Sequence, residues 1–241
     1  MTIVERYVHR QLPAVYEFVG SLFGYNNPHK SQIMIGENAF INPDFVVEGA
    51  AMQYIDESSL IFISPRFFLH TVAVIEKEKR EGNWFTKEEI EKIFGASLAE
   101  EYAHFLYETK HSFRELRDGL AKRWQTSRDM PSLLTLLALD ARDEAVGDFV
   151  RASYARHVGN AEIEELFSTY MDDYTNKVIR EKIDEKYLFR WLSYYNSRLY
   201  RIDDVESFQR HVNMPIRQID DEELQKIYDS LLEAEKLRKP Q

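Results

Sequence analysis

The sequence predicts an α+β protein that is predominantly α, with a small N-terminal antiparallel or mixed sheet followed by a helical bundle. Three observations support this fold class. Apolar residues recur at three- and four-residue spacings over most of the 241 residues, as they do on one face of a helix. Short strand-like apolar runs occur only before residue 64. Gly and Pro number 9 and 7, so we expect few long loops.

The first expected elements are a helix and a short sheet. The apolar positions from Ile3 to Phe23 predict an amphipathic helix, in which Pro13 either introduces a kink or marks a later start. The turn composition of residues 55–59 predicts a hairpin between the second and third strand-like runs. The three runs lie at Gln32–Ile35, 45–54 and Leu60–Ile63.

Helix-start signals mark the beginning of the helical part. Ser64 followed by Pro65 predicts a capped helix, because Ser is a good N-cap and Pro suits the first helical position. Thr86 with Glu89 three residues later has the pattern of a capping box. Gly95 is expected to end the short helix that this box begins.

Two long helices are expected next. Ser97 with Glu100 is a second capping-box pattern and predicts a helix that ends near Trp124. Pro131 predicts the start of another, ending near His157. We expect a core domain over residues 1–157 and a helical C-terminal extension over 158–241, packed as one unit. The extension is expected to contain helices at 161–181, 185–200 and 221–238, the last begun by Asp220 with Glu223.

Composition and charge restrict the partners and the compartment. The chain has 31 basic and 41 acidic residues, a formal net charge of −10, which argues against nucleic acid as a partner. It contains no cysteine, so disulfides and thiolate metal sites are excluded. The charged first residues do not resemble a signal peptide, and no apolar run reaches the roughly 18–20 residues of a membrane helix. We therefore expect a cytoplasmic protein without a membrane partner, and the sequence leaves the oligomeric state open.

The residues with the clearest chemical potential lie on the two long helices. Glu100 and His104 are four residues apart and therefore project side by side, and Glu101 lies within about 60° of His104 around the helix. The helix expected from Pro131 is apolar nearly all round, and it carries Glu144 and Asp148. Carboxylates on such a helix are costly unless they are paired, hydrogen-bonded or bound to a cation.

These two segments resemble the metal-binding helices of a known enzyme family. The stretch around Glu100 resembles the H-E-x-x-H helix of zincin metallopeptidases, with Glu100 in place of the first His, and the stretch with Glu144 resembles the downstream E-x-x-x-D helix of gluzincins. The resemblance covers about residues 30–157 and implies a zincin-like fold. It implies Glu100, His104 and Glu144 as ligands of a divalent metal, Glu101 as general base, and Asp148 as a residue that orients a ligand. The resemblance also implies a peptide or protein as substrate or partner.

The Glu at the first ligand position changes the expected chemistry. Two carboxylates and one imidazole neutralise the charge of a divalent ion. A metal ion in such a site lowers the pKa of its bound water less than a metal ion in a His-His-Glu site does. Oxygen ligands also shift the preference from Zn toward Mn or Fe. The resemblance thus implies a weak metal-dependent hydrolase or an inactive relative, and leaves open whether the protein is an enzyme.

Each of these residues can also be explained without a metal. Glu100 completes the expected capping box with Ser97, and His104 lies on a polar helix face of the kind that is usually solvated. Glu144 and Asp148 are alternatively explained by a buried salt bridge, for example to Arg142, Arg151 or an Arg that is distant in the sequence. His111 is a further candidate metal ligand.

The alternative function is that of a non-enzymatic helical interaction or structural protein.

Overall fold

The structure is a computed structural model that describes residues 2–26, 28–36, 52–55, 59–111, 113–181, 185–215 and 219–238. Helices predominate in these ranges, as the sequence predicts. The helices are α1 Ile3–Leu22, α2 Pro65–Lys79, α3 Lys87–His111, α4 Phe113–Ser127, α5 Met130–His157, α6 Ala161–Arg180, α7 Glu185–Ser197, α8 Val205–Asn213 and α9 Asp221–Arg238. Within the described ranges, no helix combines the length and apolar character that a membrane crossing requires.

The sheet is small and mixed, which confirms the prediction. Its strands are β1 Gln32–Ile35, β2 Met52–Ile55 and β3 Leu60–Ile63, in the order β1-β3-β2. β3 is parallel to β1 and antiparallel to β2, and all four of its residues are buried. Most of the predicted strand 45–54 lies outside the described residues, which begin again at Met52.

The chain divides into two compact units. Unit 1 comprises Met1–Leu106 and Gly147–Tyr170, and unit 2 comprises Tyr107–Val146 and Met171–Gln241. Residue 157, where we expected a boundary, therefore lies inside unit 1. A single cut along the sequence cannot describe this division, because helices α3, α5 and α6 each contribute residues to both units.

Each unit has its own hydrophobic core. In unit 1, the rings of Tyr7 and Phe68 pack on the ring of Phe94 in α3. The centroid of the Phe94 ring lies 5.6 Å from that of Tyr7 and 5.2 Å from that of Phe68. In unit 2, α5 contributes Leu133 and Leu137 to a cluster with residues of α6, α7 and α9. The buried partners in that cluster are Ile179, Leu192, Ile227 and Ala234.

One predicted helix boundary is wrong. Thr86 and Glu89 form the expected reciprocal hydrogen bonds, but Gly95 does not end the helix, and Ser97 lies inside α3 instead of capping a new helix. Gly95 lies at a close approach, since a Cβ atom there would lie 2.6 Å from Oε1 of Gln11 and 3.0 Å from Cε1 of Tyr154. The helix expected to end near Trp124 is shared between α3 and α4.

Other local signals gave mixed results. α1 begins at Ile3 behind a Thr2 capping box and continues through Pro13, so Pro13 does not mark a later start. Ser64 caps α2 as predicted, and Asp220 accepts a hydrogen bond from the Glu223 amide at the start of α9. Helix α8 is not predicted from the sequence, although Asp204 caps it.

Candidate functional site

Glu100, Glu101 and His104 lie on the part of α3 that belongs to unit 1. Glu101 and His104 are each only 8% exposed, so the predicted solvated face is wrong for His104. His104 packs against the bare backbone of Gly147, where a Cβ atom would lie 2.6 Å from its Nε2. The same Cβ atom would lie 3.2 Å from Cγ of Glu100. Gly147 thus makes room for the side chains of both predicted ligands.

Arg151 of α5 connects the carboxylates around this notch. Its Nη1 donates to Oε1 and Oε2 of Glu100 at 2.9 Å and 3.0 Å. Its Nη2 donates to Oδ1 of Asp148 at 3.0 Å, and its Nε donates to Oε1 of Glu164 on α6 at 2.5 Å. We call these four side chains the Arg151 cluster. All four belong to unit 1, and Arg151 itself is 4% exposed.

Glu101, the expected general base, has a different partner. Its Oε2 accepts a hydrogen bond from the backbone amide of Tyr54 on β2. β2 is an edge strand in the described sheet, and Glu101 therefore provides an acceptor where a further strand would otherwise pair. The carboxylate ties α3 to the sheet.

The electrostatics of the Arg151 cluster are dominated by burial. Burial raises the pKa of the Glu100 carboxyl, and the nearby Glu101 raises it further, while Arg151 and His104 act in the opposite direction. Burial also raises the pKa of Glu164 against the attraction of Arg151. One guanidinium is thus shared by three carboxyl groups, and the cluster binds a proton more tightly than isolated carboxyl groups do.

The remaining predicted residues are placed as follows. Asp148 is paired with Arg151, as the salt-bridge alternative anticipated. Glu144 is half-buried on the part of α5 that belongs to unit 2. His111 also lies in unit 2, with its Nε2 2.9 Å from the carbonyl oxygen of Val212.

As arranged here, these side chains do not fit a metal ion. Both oxygens of Glu100 face Arg151, and Glu101 accepts from the Tyr54 amide. Throughout the part of the chain that the structure describes, no three His, Asp or Glu side chains are grouped so as to hold a metal. The ligand set of Glu100, His104 and Glu144 stays a prediction, and we derive no chemical step through a metal.

Two members of this arrangement are not predicted from the sequence. Glu164 and the Tyr54 amide come from other elements, and no spacing along α3 or α5 points to them. For Arg151, the sequence suggests only a salt bridge to the carboxylates on α5. Its position three residues after Asp148, on a helix that is apolar nearly all round, is the signal that pointed to a buried ion pair.

No family model, curated protein or solved structure matches this chain. The resemblance to zincins therefore rests on the residues of the two helical segments alone.

Proposed function

We propose that this chain is a non-enzymatic helical protein that acts by binding, and that Glu100, Glu101 and His104 maintain its fold. The single observation that carries the proposal is the position of Arg151. A buried guanidinium is costly unless it is paired and hydrogen-bonded, and the Arg151 cluster supplies three carboxylates for it from α3, α5 and α6. The three acidic residues thus have a structural role that requires no metal.

The hydrogen bond of Glu101 supports the same function. A general base must reach the water or the substrate from which it removes a proton. Glu101 is 8% exposed, and one of its oxygens accepts from the Tyr54 amide. This arrangement favours a structural role for the Glu101 carboxylate, which connects strand β2 to helix α3.

A weak metal-dependent hydrolase is the second candidate function. One observation favours it: the Arg151 cluster and the adjacent Glu101 contain four carboxyl groups and one guanidinium, next to His104. Either protons or a cation such as Zn²⁺, Mn²⁺ or Fe²⁺ can relieve this excess of negative charge. Metal binding by Glu100 would require Arg151 to release it.

Two measurements on the same preparations distinguish the two functions. Protein purified without chelator is expected to contain less than about 0.1 equivalent of transition metal, and added Zn²⁺ or Mn²⁺ is expected to leave its urea unfolding unchanged. Arg151→Met is expected to lower the free energy of unfolding by about 3–5 kcal/mol, because it leaves buried carboxylates without their cation. The matched control Arg156→Met, at an exposed position of α5, is expected to change it by less than about 0.5 kcal/mol.

The proposal is contradicted by a full equivalent of bound metal, or by an increase in unfolding free energy of about 2.7 kcal/mol at a metal concentration 100 times its Kd. Equal effects of the two arginine substitutions would contradict the structural role of the Arg151 cluster.

A further inference from the structure

Helix α8 is a short element of unit 2 with a small buried face. It has nine residues, of which only Phe208 and Val212 are fully buried, and its charged residues Glu206 and Arg210 are exposed. Irregular segments precede and follow it. A helix of this length is not stable in isolation, so α8 is held in place by its contacts with the rest of unit 2.

Polar contacts hold the C-terminal end of α8 on the end of α3. Nε2 of His111 lies 2.9 Å from the carbonyl oxygen of Val212. Nζ of Lys110 donates to Oδ1 of Asn213 at 2.7 Å. The residue between these two positions of α8 is His211, and its side chain points into unit 2, where it forms a hydrogen bond with the backbone of α5.

The His211 ring lies among aromatic and cationic groups. Its centroid is 5.8 Å from that of Tyr200 and 6.4 Å from that of Tyr107, and its backbone partner is Arg142. Its Nε2 is buried and has no hydrogen-bond partner in the described ranges. In a protonated imidazole both nitrogens are N–H donors. Protonation would therefore create a buried donor without an acceptor and a buried charge beside a guanidinium, and both are costly.

The charged groups that act on this ring oppose its protonation. Arg142 of α5 and His111 of α3 both lower the pKa of His211, as burial does. Tyr107 and Tyr200 also face the ring, and burial raises the pKa of both hydroxyls, so they stay neutral. None of these groups supplies a negative charge.

The carboxylates near the ring are bound to other groups. Three acidic residues line a cavity together with His211: Asp220, Glu222 and Glu223. Glu223 accepts hydrogen bonds from Arg142 and Tyr200. Glu222 pairs with a lysine of its own helix, and Asp220 accepts from an amide at the start of α9. Residues 216–218, which lie outside the described ranges, include no acidic residue. A protonated His211 would thus lack an anionic partner.

We propose that α8 is released from unit 2 in acid, when His211 takes up a proton. Release lets the charged ring reach water and uncovers the surface on which Phe208 and Val212 are now buried. His211 has a pKa of about 4 in the folded chain and an ordinary value of 6.5 when solvated, so the released form gains population as the pH falls between these values. The inference concerns unit 2 alone and does not rest on the proposed function.

Amide hydrogen exchange of the native chain tests the release. It is followed by NMR at about pH 7 and about pH 4.5 and corrected for the intrinsic pH dependence of exchange. Proton linkage raises the population of opened α8 by about 50-fold between these pH values. The corrected exchange of the Phe208 and Val212 amides is therefore expected to rise at least about tenfold. At the lower pH it should also be at least about tenfold faster than that of the core amides of Leu192 and Ile227.

Two results of this measurement would overturn the proposal. One is exchange in α8 that does not rise in acid. The other is equal protection of the α8 amides and the core amides of Leu192 and Ile227 at about pH 4.5, which would show that unit 2 opens as a whole.

A pair of variants tests whether His211 is responsible. His211→Phe keeps a ring of similar size that cannot be protonated, and it is expected to reduce the rise at Phe208 and Val212 to less than about a third of the native value. His9→Phe, at an exposed position of α1, is the control and should keep the full rise. An undiminished rise in His211→Phe overturns the assignment to His211.

The imidazole resonances of the native chain provide a test that needs no variant. Their titration by NMR should place the midpoint of His211 at least about one pH unit below that of the exposed His9, and equal midpoints would overturn the proposal. None of these outcomes alters the metal content or the effect of Arg151→Met, so a failure here is distinct from a failure of the proposed function.

Discussion

Arg151 illustrates how much one side chain can determine. Its three guanidinium nitrogens donate to three different carboxylates, those of Glu164, Glu100 and Asp148. Only arginine offers donors in a planar fork that reaches in several directions at once, whereas a lysine ammonium acts as a compact point charge. The identity of this residue therefore matters as much as its charge.

Gly147 provides the residue-scale test of the notch around His104. Gly147→Ala is expected to lower the free energy of unfolding by about 1–3 kcal/mol, because the new Cβ atom would lie 2.6 Å from the buried imidazole. The matched control is Gly119→Ala on α4, where a Cβ atom meets nothing within 4 Å. That change is expected to raise the free energy of unfolding by about 0.5–1 kcal/mol, the usual gain of alanine over glycine in a helix. Urea unfolding of both variants measures the difference.

A double substitution identifies the source of the Gly147 effect. If the imidazole is the obstacle, Gly147→Ala should cost less in a His104→Ala background than in the native chain. Equal costs in the two backgrounds would show that His104 does not pack against Gly147.

At the scale of elements, the Glu101 side chain stabilises the edge of the sheet. We expect Glu101→Ala to accelerate hydrogen exchange of the Tyr54 amide at least about tenfold, since a buried N–H without its acceptor costs about 1–3 kcal/mol. Glu101→Gln keeps an acceptor oxygen and is expected to retain most of the protection. Exchange followed by NMR at Tyr54, with the amides of β3 as internal reference, provides the measurement. Unchanged exchange at Tyr54 in Glu101→Ala would contradict the hydrogen bond.

Local signals predicted most elements, and they failed where tertiary packing decided. Ser64 and Thr86 mark helix starts because their side chains bond to backbone groups a few residues away, an interaction that is contained in the sequence. Glycine is common where helices end, yet Gly95 lies at the contact of α3 with Gln11 and Tyr154. Gln11 and Tyr154 belong to α1 and α5, so the residues next to Gly95 in the sequence do not predict this contact.

The same distinction applies to the candidate site. The apolar surroundings of Asp148 on its own helix predicted that its carboxylate needs a cation or a proton, and Arg151 is the partner. The contribution of Glu164 depends on how α6 packs, and the bond of Glu101 depends on where β2 lies. Helical spacing specifies which residues share a face of one helix, but it does not specify which helix or strand covers that face.

At the scale of the whole molecule, two buried glutamates of unit 1 and two buried histidines of unit 2 change the stability with pH in opposite directions. In unit 1, burial raises the pKa of Glu100 and Glu164, so the folded state holds their protons more tightly and loses stability as pH rises above the ordinary carboxyl range. In unit 2, burial lowers the pKa of His111 and His211, so the folded state loses stability as pH falls below the ordinary imidazole range. The measured pH dependence is the sum of these contributions.

His211 allows the unit 2 contribution to be isolated. Its pKa is lowered from 6.5 to about 4 by burial and by Arg142, so the unfolded chain takes up a proton first as the pH falls. The stability that depends on the neutral ring is complete above about pH 6.5, and about 3 kcal/mol of it is lost by about pH 4. His211→Gln should therefore flatten the increase of unfolding free energy between these pH values, measured by urea unfolding at each pH. His9→Gln, at an exposed position of α1, is the control and should keep the native slope. An unchanged slope in His211→Gln would show that His211 titrates alike in the folded and unfolded chain, and that burial and Arg142 do not hold the ring neutral.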